Sequence, residues 1–413
     1  MVSNNVIVEV EQQQVSADTL KDRVFATRAR TERLAEPLSP EDQVVQAMDD
    51  ASPTKWHLGH TTWFFEAFVL EPHLPSYKRL SDKYHYCFNS YYVQVGPRHP
   101  RPMRGMLTRP SADEVREYRQ YVDNGLKGLF DHYGADLPGE IAALLELGAN
   151  HEEQHQELIL TDILSLFASN PLRPEYNETY HKTRRLYASS GKKWITQDSG
   201  IRQVGNSGDG FHYDNELPAH SVLLQSFKLC DRLVTNADWL EFIDDNAYAT
   251  PALWLSDGWH AVATREWKAP GYWEKRNGEW HQMTLAGLQP VEPDAPVSNV
   301  SYYEADAYAR WAGKRLPTEF EWEVATKAHS SQLKQIYSDV WQWTSSSYAA
   351  YPGYRPAEGA IGEYNGKFMC SQYVLRGASH ATSPRHSRVT YRNFFYPDAR
   401  WQFTGVRLAE DAV

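Results

Sequence analysis

His151-Glu152-Glu153-Gln154-His155-Gln156-Glu157 lies inside the stretch 137–167, and reading that stretch as one long helix decides the fold. Leu144, Gly148, His151, His155, Leu158 and Asp162 recur at steps of three and four, so both imidazoles project from a single stripe. Two histidines at i and i+4 form a ready metal chelate. Standing alone, such a pair is more often a polar surface feature of an acidic helix, so the reading turns on a third histidine.

The third candidate is His60, in Lys55-Trp56-His57-Leu58-Gly59-His60-Thr61-Thr62-Trp63-Phe64-Phe65-Glu66, set among aromatic and small residues rather than in a charged surface run. A buried imidazole needs a partner, and a metal supplies one. Three neutral imidazoles with open coordination positions form a catalytic arrangement, whereas four protein ligands would close the site and make it structural. His57, three residues earlier, is the rival for the third position.

The 413 residues, 41% apolar and 23% charged, suffice for two or three packed domains. A net charge of −11 without a long Lys/Arg run argues against a nucleic-acid partner. Cys87, Cys230 and Cys370 are odd in number and far apart, which excludes a disulfide framework and a cysteine-based zinc site. Residues 1–15 are polar, lack an apolar core and read as a disordered N-terminus. No window approaches a membrane span, so a soluble cytoplasmic protein is expected.

Helical patterning begins at residues 16–34. Ser39-Pro40-Glu41-Asp42 carries a helix-start signature, and helix resumes over 54–70 with His60, Phe64 and Ala67 on one face. Ser111-Ala112-Asp113-Glu114 is a capping box for a helix to about Tyr133, and Asp136-Leu137-Pro138 opens the central one. A four-helix bundle over 16–175 follows, in which a metal site is built from inward side chains on facing helices. The long connection 84–110 holds Asn89-Ser90-Tyr91-Tyr92 and an arginine run in which Arg98 and Arg101 could clamp a carboxylate. Beyond about 170–190 the texture turns to short strands, turns and scattered Trp, Gly and Pro, a loop-rich α+β domain over 190–410. Ser301-Tyr302-Tyr303-Glu304 and Thr318-Glu319-Phe320-Glu321 cap two short helices there.

Three runs in this second half resemble the formylglycine-generating-enzyme type of C-type-lectin-like domain. They are Pro296-Val297-Ser298-Asn299-Val300-Ser301 leading to Ala309-Arg310-Trp311-Ala312-Gly313-Lys314-Arg315-Leu316-Pro317-Thr318-Glu319-Phe320-Glu321-Trp322-Glu323; Val340-Trp341-Gln342-Trp343-Thr344; and Val374-Leu375-Arg376-Gly377 with Gly405-Val406-Arg407-Leu408. The N-terminal half resembles a DinB-like bundle. The combination resembles the EgtB-type sulfoxide synthases of ergothioneine biosynthesis over roughly residues 20–410.

The resemblance implies a non-haem Fe(II) enzyme that uses O2 to join a thiol sulfur to C2 of the hercynine imidazole as a sulfoxide. It implies His60, His151 and His155 as iron ligands, Gln154 as the partner of the substrate imidazole, and Asn393 with Phe394 as the grip on its trimethylammonium end. Tyr91 and Tyr92 resemble the tyrosine pair of the cysteine-using branch, where a phenol serves as proton donor. Phe395 stands where the γ-glutamylcysteine branch has an acidic residue, which favours cysteine or another small thiol. Only Cys370 remains where formylglycine generation needs paired cysteines, which argues against that activity. Gly377-Ala378-Ser379-His380 departs from the expected Gly-Gly-Ser-Cys and leaves open a likeness to selenoneine synthases, whose donor is a selenosugar.

Two other readings compete. A zinc ion on the same histidines would make a DinB-like thiol transferase without redox chemistry. A lectin-like fold could equally serve as a carbohydrate-binding module, since fold alone does not fix function.

Overall fold

The computed structural model describes residues 20–75, 77–177, 191–208, 210–358, 362 and 365–412. The expected disordered stretch 1–15 lies outside them. The described chain is α+β: a helical first half and a second half of short sheets with helices.

The first half holds α1 (Leu20–Ala35), α2 (Thr54–Phe65), α3 (Asp82–Phe88), α4 (Ala112–Tyr133) and α5 (Gly139–Ser169). The capping box at Ser111 starts α4, with Ser111 N–H donating to Glu114 and Glu114 N–H donating to the Ser111 hydroxyl at 3.2 Å. Every residue of α2 is buried, because it packs against both α4 and α5. Two glycines permit close packing around α2, Gly148 on the α5 side and Gly59 on the α3 side. A Cβ on Gly148 would stand 2.6 Å from the Phe65 ring, and one on Gly59 would stand 2.2 Å from the Phe88 ring.

Past Phe65 the helix continues as a π-helical turn, Glu66–Leu70. The helix expected after Ser39 does not form: residues 39–51 are turns. Side-chain hydrogen bonds from two glutamines fasten these turns to the segments beside them. Gln43 Nε2 donates to the Leu38 carbonyl at 3.0 Å, and Gln46 Nε2 donates to those of Ala51 and Arg101 at 2.9 Å each. The connection 84–110 is also less irregular than its composition suggests, holding the end of α3 and 3-10 turns at Val93–Val95 and Arg101–Met106.

In the second half a four-stranded sheet runs in the order Asn393–Phe395, Tyr373–Gly377, Trp341–Ser347, Thr404–Gly405, with only the last pair parallel. Both expected capping boxes are present, at Ser301 for Tyr302–Trp311 and at Thr318 for Glu319–His329. Trp239, Trp341, Trp343 and Tyr308 centre the core of this half.

The two halves share apolar and polar contacts. Leu160, Ile163, Leu164 and Phe167 of α5 pack with Met283, Leu285, Ala381 and Phe403. One carboxylate clamps the boundary: Glu157 accepts from Trp341 Nε1 at 2.8 Å, Ser379 Oγ at 2.5 Å and Thr382 Oγ1 at 2.6 Å. Ser379 of the divergent Gly377-Ala378-Ser379-His380 run is thus a structural donor to the ligand-bearing helix.

Candidate metal centre

The residues of the 151–157 stretch divide among three neighbouring surfaces, as a 100° step per residue dictates. Glu152 and Gln156 turn to α1 and α4. The Glu152 carboxylate accepts from Arg28 at 3.2 Å and from Arg119, and Gln156 Nε2 donates to the Thr27 carbonyl at 2.9 Å. Gln154 and Glu157 turn to the second half, where Gln154 Nε2 donates to the Tyr391 hydroxyl at 2.7 Å. Glu153 lies 3.7 Å from His386. His151 and His155 are left pointing at α2, rigidly phased by these anchors.

There they meet His60. The candidate ligand atoms of His60, His151 and His155 lie within 4.8 Å of one another, and all three residues are buried. His60 Nδ1 contacts the Phe88 carbonyl at 2.6 Å, which can only accept, so this nitrogen carries the proton and Nε2 the lone pair. That Nε2 is buried and has no hydrogen-bond partner among the described residues. The His60 ring lies between the indoles of Trp56, stacked at 4.6 Å, and Trp63 at 5.6 Å. Phe64 covers His151 at 4.8 Å.

Burial keeps these imidazoles neutral. It pushes His151 down to about 3 and, reinforced by the neighbouring histidines, holds His60 and His155 well below the ordinary histidine range. Three buried neutral imidazoles, one with an orphaned lone pair, fit a single divalent transition-metal ion held with open positions. His57, the rival third ligand, stands outside this set with Nδ1 at 2.8 Å from His155 Nδ1 and Nε2 at 3.0 Å from Asp162.

Glu66, Glu71 and His85 form a second cluster, with His85 Nε2 3.0 Å from Glu71 and both carboxylates engaged by neighbouring donors. Glu66 accepts from the hydroxyls of Tyr77 at 2.7 Å and Tyr118 at 2.5 Å, and Glu71 is forked by Arg79.

His151 opens into a cavity of about 450 Å³ between the two halves, walled by Phe64, Tyr92, Leu147, Phe211 and Tyr213, with Glu146, Asp214 and Arg355 on its lining. Tyr92 is buried, with its ring tilted against that of Tyr91 at a centroid distance of 4.7 Å. Tyr91 meets Phe368 edge-on at 5.3 Å, Phe368 lies 6.0 Å from Phe394, and Phe394 stacks on Tyr348 at 4.1 Å. Asn393 and Phe394 are half-buried on their strand, and Asn393 Oδ1 accepts from Phe394 N–H at 2.9 Å.

The arginine run divides in a way the sequence does not announce. Arg98 and Arg101 are exposed and donate to backbone carbonyls, Arg98 to Ser90 at 2.6 Å and Arg101 to Asp50. Arg104, three residues on, is buried with its guanidinium 3.3 Å over the Trp56 ring, donating to Ser52 Oγ at 2.9 Å and Ser90 Oγ at 3.0 Å. Burial, with Arg101 and Arg98 nearby, holds its pKa well below the usual guanidinium value.

Comparison with known proteins agrees with this architecture. Residues 182–338 and 331–412 match the sulfatase-modifying factor enzyme 1-like domain, more than half of the chain, and residues 25–159 match the DinB superfamily. The chain therefore belongs to the sulfatase-modifying factor enzyme 1-like family, with a DinB-type bundle ahead of that domain. It is 28% identical to a hercynine oxygenase of Mycolicibacterium smegmatis over 96% of this chain and 100% of that one. It is 29% identical to the hercynine oxygenase of Mycolicibacterium thermoresistibile over 76% and 78% of the two chains. It is 25% identical to ergothioneine biosynthesis protein 1 of Schizosaccharomyces pombe over 54% of this chain and 31% of that one. Among the described residues no helix is long and apolar enough to cross a membrane.

Proposed function

We propose that this protein is a non-haem Fe(II), O2-dependent sulfoxide synthase that joins the sulfur of cysteine to C2 of hercynine. The observation carrying the reading is the buried three-histidine set His60, His151 and His155, open to an aromatic cavity between the two halves. End-to-end likeness to hercynine oxygenases supplies the substrate class. Hercynine, cysteine and O2 combine to give the sulfoxide and one water, so the carbon–sulfur bond and the S=O bond together release the four electrons that O2 accepts.

Iron held on the histidines supplies the O2 and one-electron chemistry that zinc on the same ligands would not. The protein's own groups bind and orient. Gln154, pinned by Tyr391, presents its amide to the substrate imidazole. The Phe394 face, backed by Tyr348, suits the trimethylammonium group by cation–π attraction, with Asn393 beside it. Tyr92, on the cavity that His151 shares, and Tyr91 tilted against it are the phenols we assign as proton donors, with the aromatic walls excluding water.

The cysteine carboxylate is assigned to the arginine run. Arg98 and Arg101 each retain guanidinium N–H groups beyond the carbonyl contact, and a fork-to-carboxylate bond is lost on replacement by Lys. A selenosugar donor carries no carboxylate. Purified protein with Fe(II), O2, hercynine, cysteine and a selenoglucose in competition tests both assignments by product mass. The reading expects the two substrates' summed mass less two hydrogens plus one oxygen, and an Arg101→Lys variant with a raised KM for cysteine. An exclusive carbon–selenium product would transfer the donor to a selenosugar, and no hercynine product at all would overturn the reading.

A further inference from the structure

We infer that His57 is a positioning residue which, backed by Asp162, fixes the tautomer of His155 so that Nε2 is its unprotonated nitrogen. The inference rests on the metal reading above. Helix α2 supplies His60 and, one turn earlier, His57; helix α5 supplies His155 and, two turns later, Asp162. The pairs face each other and form a continuous string. Asp162 Oδ2 lies 3.0 Å from His57 Nε2, and His57 Nδ1 lies 2.8 Å from His155 Nδ1. All three side chains are buried, with relative exposures of 7%, 2% and 9% for Asp162, His57 and His155.

One end of this string can only accept, and that sets the order of its protons. The Asp162 carboxylate already takes the Ser52 N–H on the same Oδ2 at 2.8 Å and has no proton to give. His57 Nε2 therefore donates. With one proton on the His57 ring, held at Nε2 by Asp162, Nδ1 offers only a lone pair, and we assign the proton in the 2.8 Å contact to His155 Nδ1. His155 Nε2 is left with its lone pair. The Phe88 carbonyl imposes the same tautomer on His60. Two of the three imidazoles are thus preset by acceptor-only partners, one through a backbone oxygen and one through an interposed histidine, which extends the usual carboxylate–histidine–metal support by one ring.

The test combines a tautomer measurement on metal-free protein with metal affinity. In histidine-15N-labelled protein, long-range 1H–15N correlation should show His57 protonated at Nε2 and His155 protonated at Nδ1. For the variants, His57→Asn places an amide oxygen where Nδ1 stood and still accepts, whereas His57→Leu has nearly the same shape and cannot. Titration with Co(II) should show His57→Leu weakened by about 10–100-fold and His57→Asn close to wild type. The opposite tautomer with stoichiometric cobalt uptake, or equal affinities in the two variants, overturns the inference alone. A wild type that takes up no cobalt overturns the metal reading and the inference with it. If His57→Leu does not fold, the tautomer spectrum of the wild type still decides.

Discussion

Metal-free protein should lose stability steeply on acidification, and His151 accounts for a measurable share of that loss. Its imidazole is fully enclosed, and burial pushes its pKa from 6.5 down to about 3. The folded value is the lower one, so as pH falls below 6.5 the unfolded chain takes up a proton that the native chain refuses until about pH 3. Stability contributed by the neutral imidazole is therefore intact above 6.5 and drains away between 6.5 and 3. Integrating between pH 7.5 and 5 gives a loss of about 2 kcal/mol for this residue. His60 and His155 are displaced in the same direction and add to it. Urea denaturation of chelator-treated protein at the two pH values, for wild type and His151→Leu, isolates the contribution. The wild type should lose about 2 kcal/mol more than the variant between them. Identical losses would refute the claim that this imidazole is held neutral by burial.

Gly148→Ala drives a methyl into the Phe65 ring and should cost about 1–3 kcal/mol by overpacking; a change within about 0.5 kcal/mol in urea denaturation would show that α2 and α5 can separate without penalty. Glu157→Ala removes the acceptor of three donors from the second half and should cost at least about 2 kcal/mol, with Glu157→Gln milder; an unchanged denaturation midpoint would mean that the clamp contributes nothing. Phe394→Ala should weaken hercynine binding by about 0.5–2 kcal/mol while cysteine binding changes less, and equal weakening of both in calorimetry would count against a trimethylammonium grip there.

What could be read from the chain alone was local. The His151/His155 stripe and the capping boxes at Ser111, Ser301 and Thr318 are written within a few residues of themselves, and the structure reproduces each. The part of the site that escaped reading depends on contacts between distant segments. His57 meets Asp162 and His155 across about a hundred residues, so nothing near His57 distinguishes a supporting imidazole from a ligand. Which of Arg98, Arg101 and Arg104 turns inward depends on the phase of the short 3-10 turn at Arg101–Met106, and a Pro-rich run carries no periodicity to reveal it. The turns after Ser39 are likewise fastened by partners that local pattern does not show, with Gln43 donating to the Leu38 carbonyl and Gln46 to that of Arg101 in the 101–106 turn. Asp162 did stand on the histidine stripe in the sequence. Its role became visible only when α2 was laid against it.

The most direct test of the account is the iron content of anaerobically reconstituted protein, compared among wild type, His60→Ala, His151→Ala and His155→Ala. One Fe(II) per chain in the wild type and its loss in each variant, with circular dichroism unchanged, is the predicted result, because each truncation leaves two ligands on a core that the apolar packing of α2, α4 and α5 maintains. Full occupancy in any one variant would remove that histidine from the site and contradict the three-histidine centre on which the proposed chemistry depends.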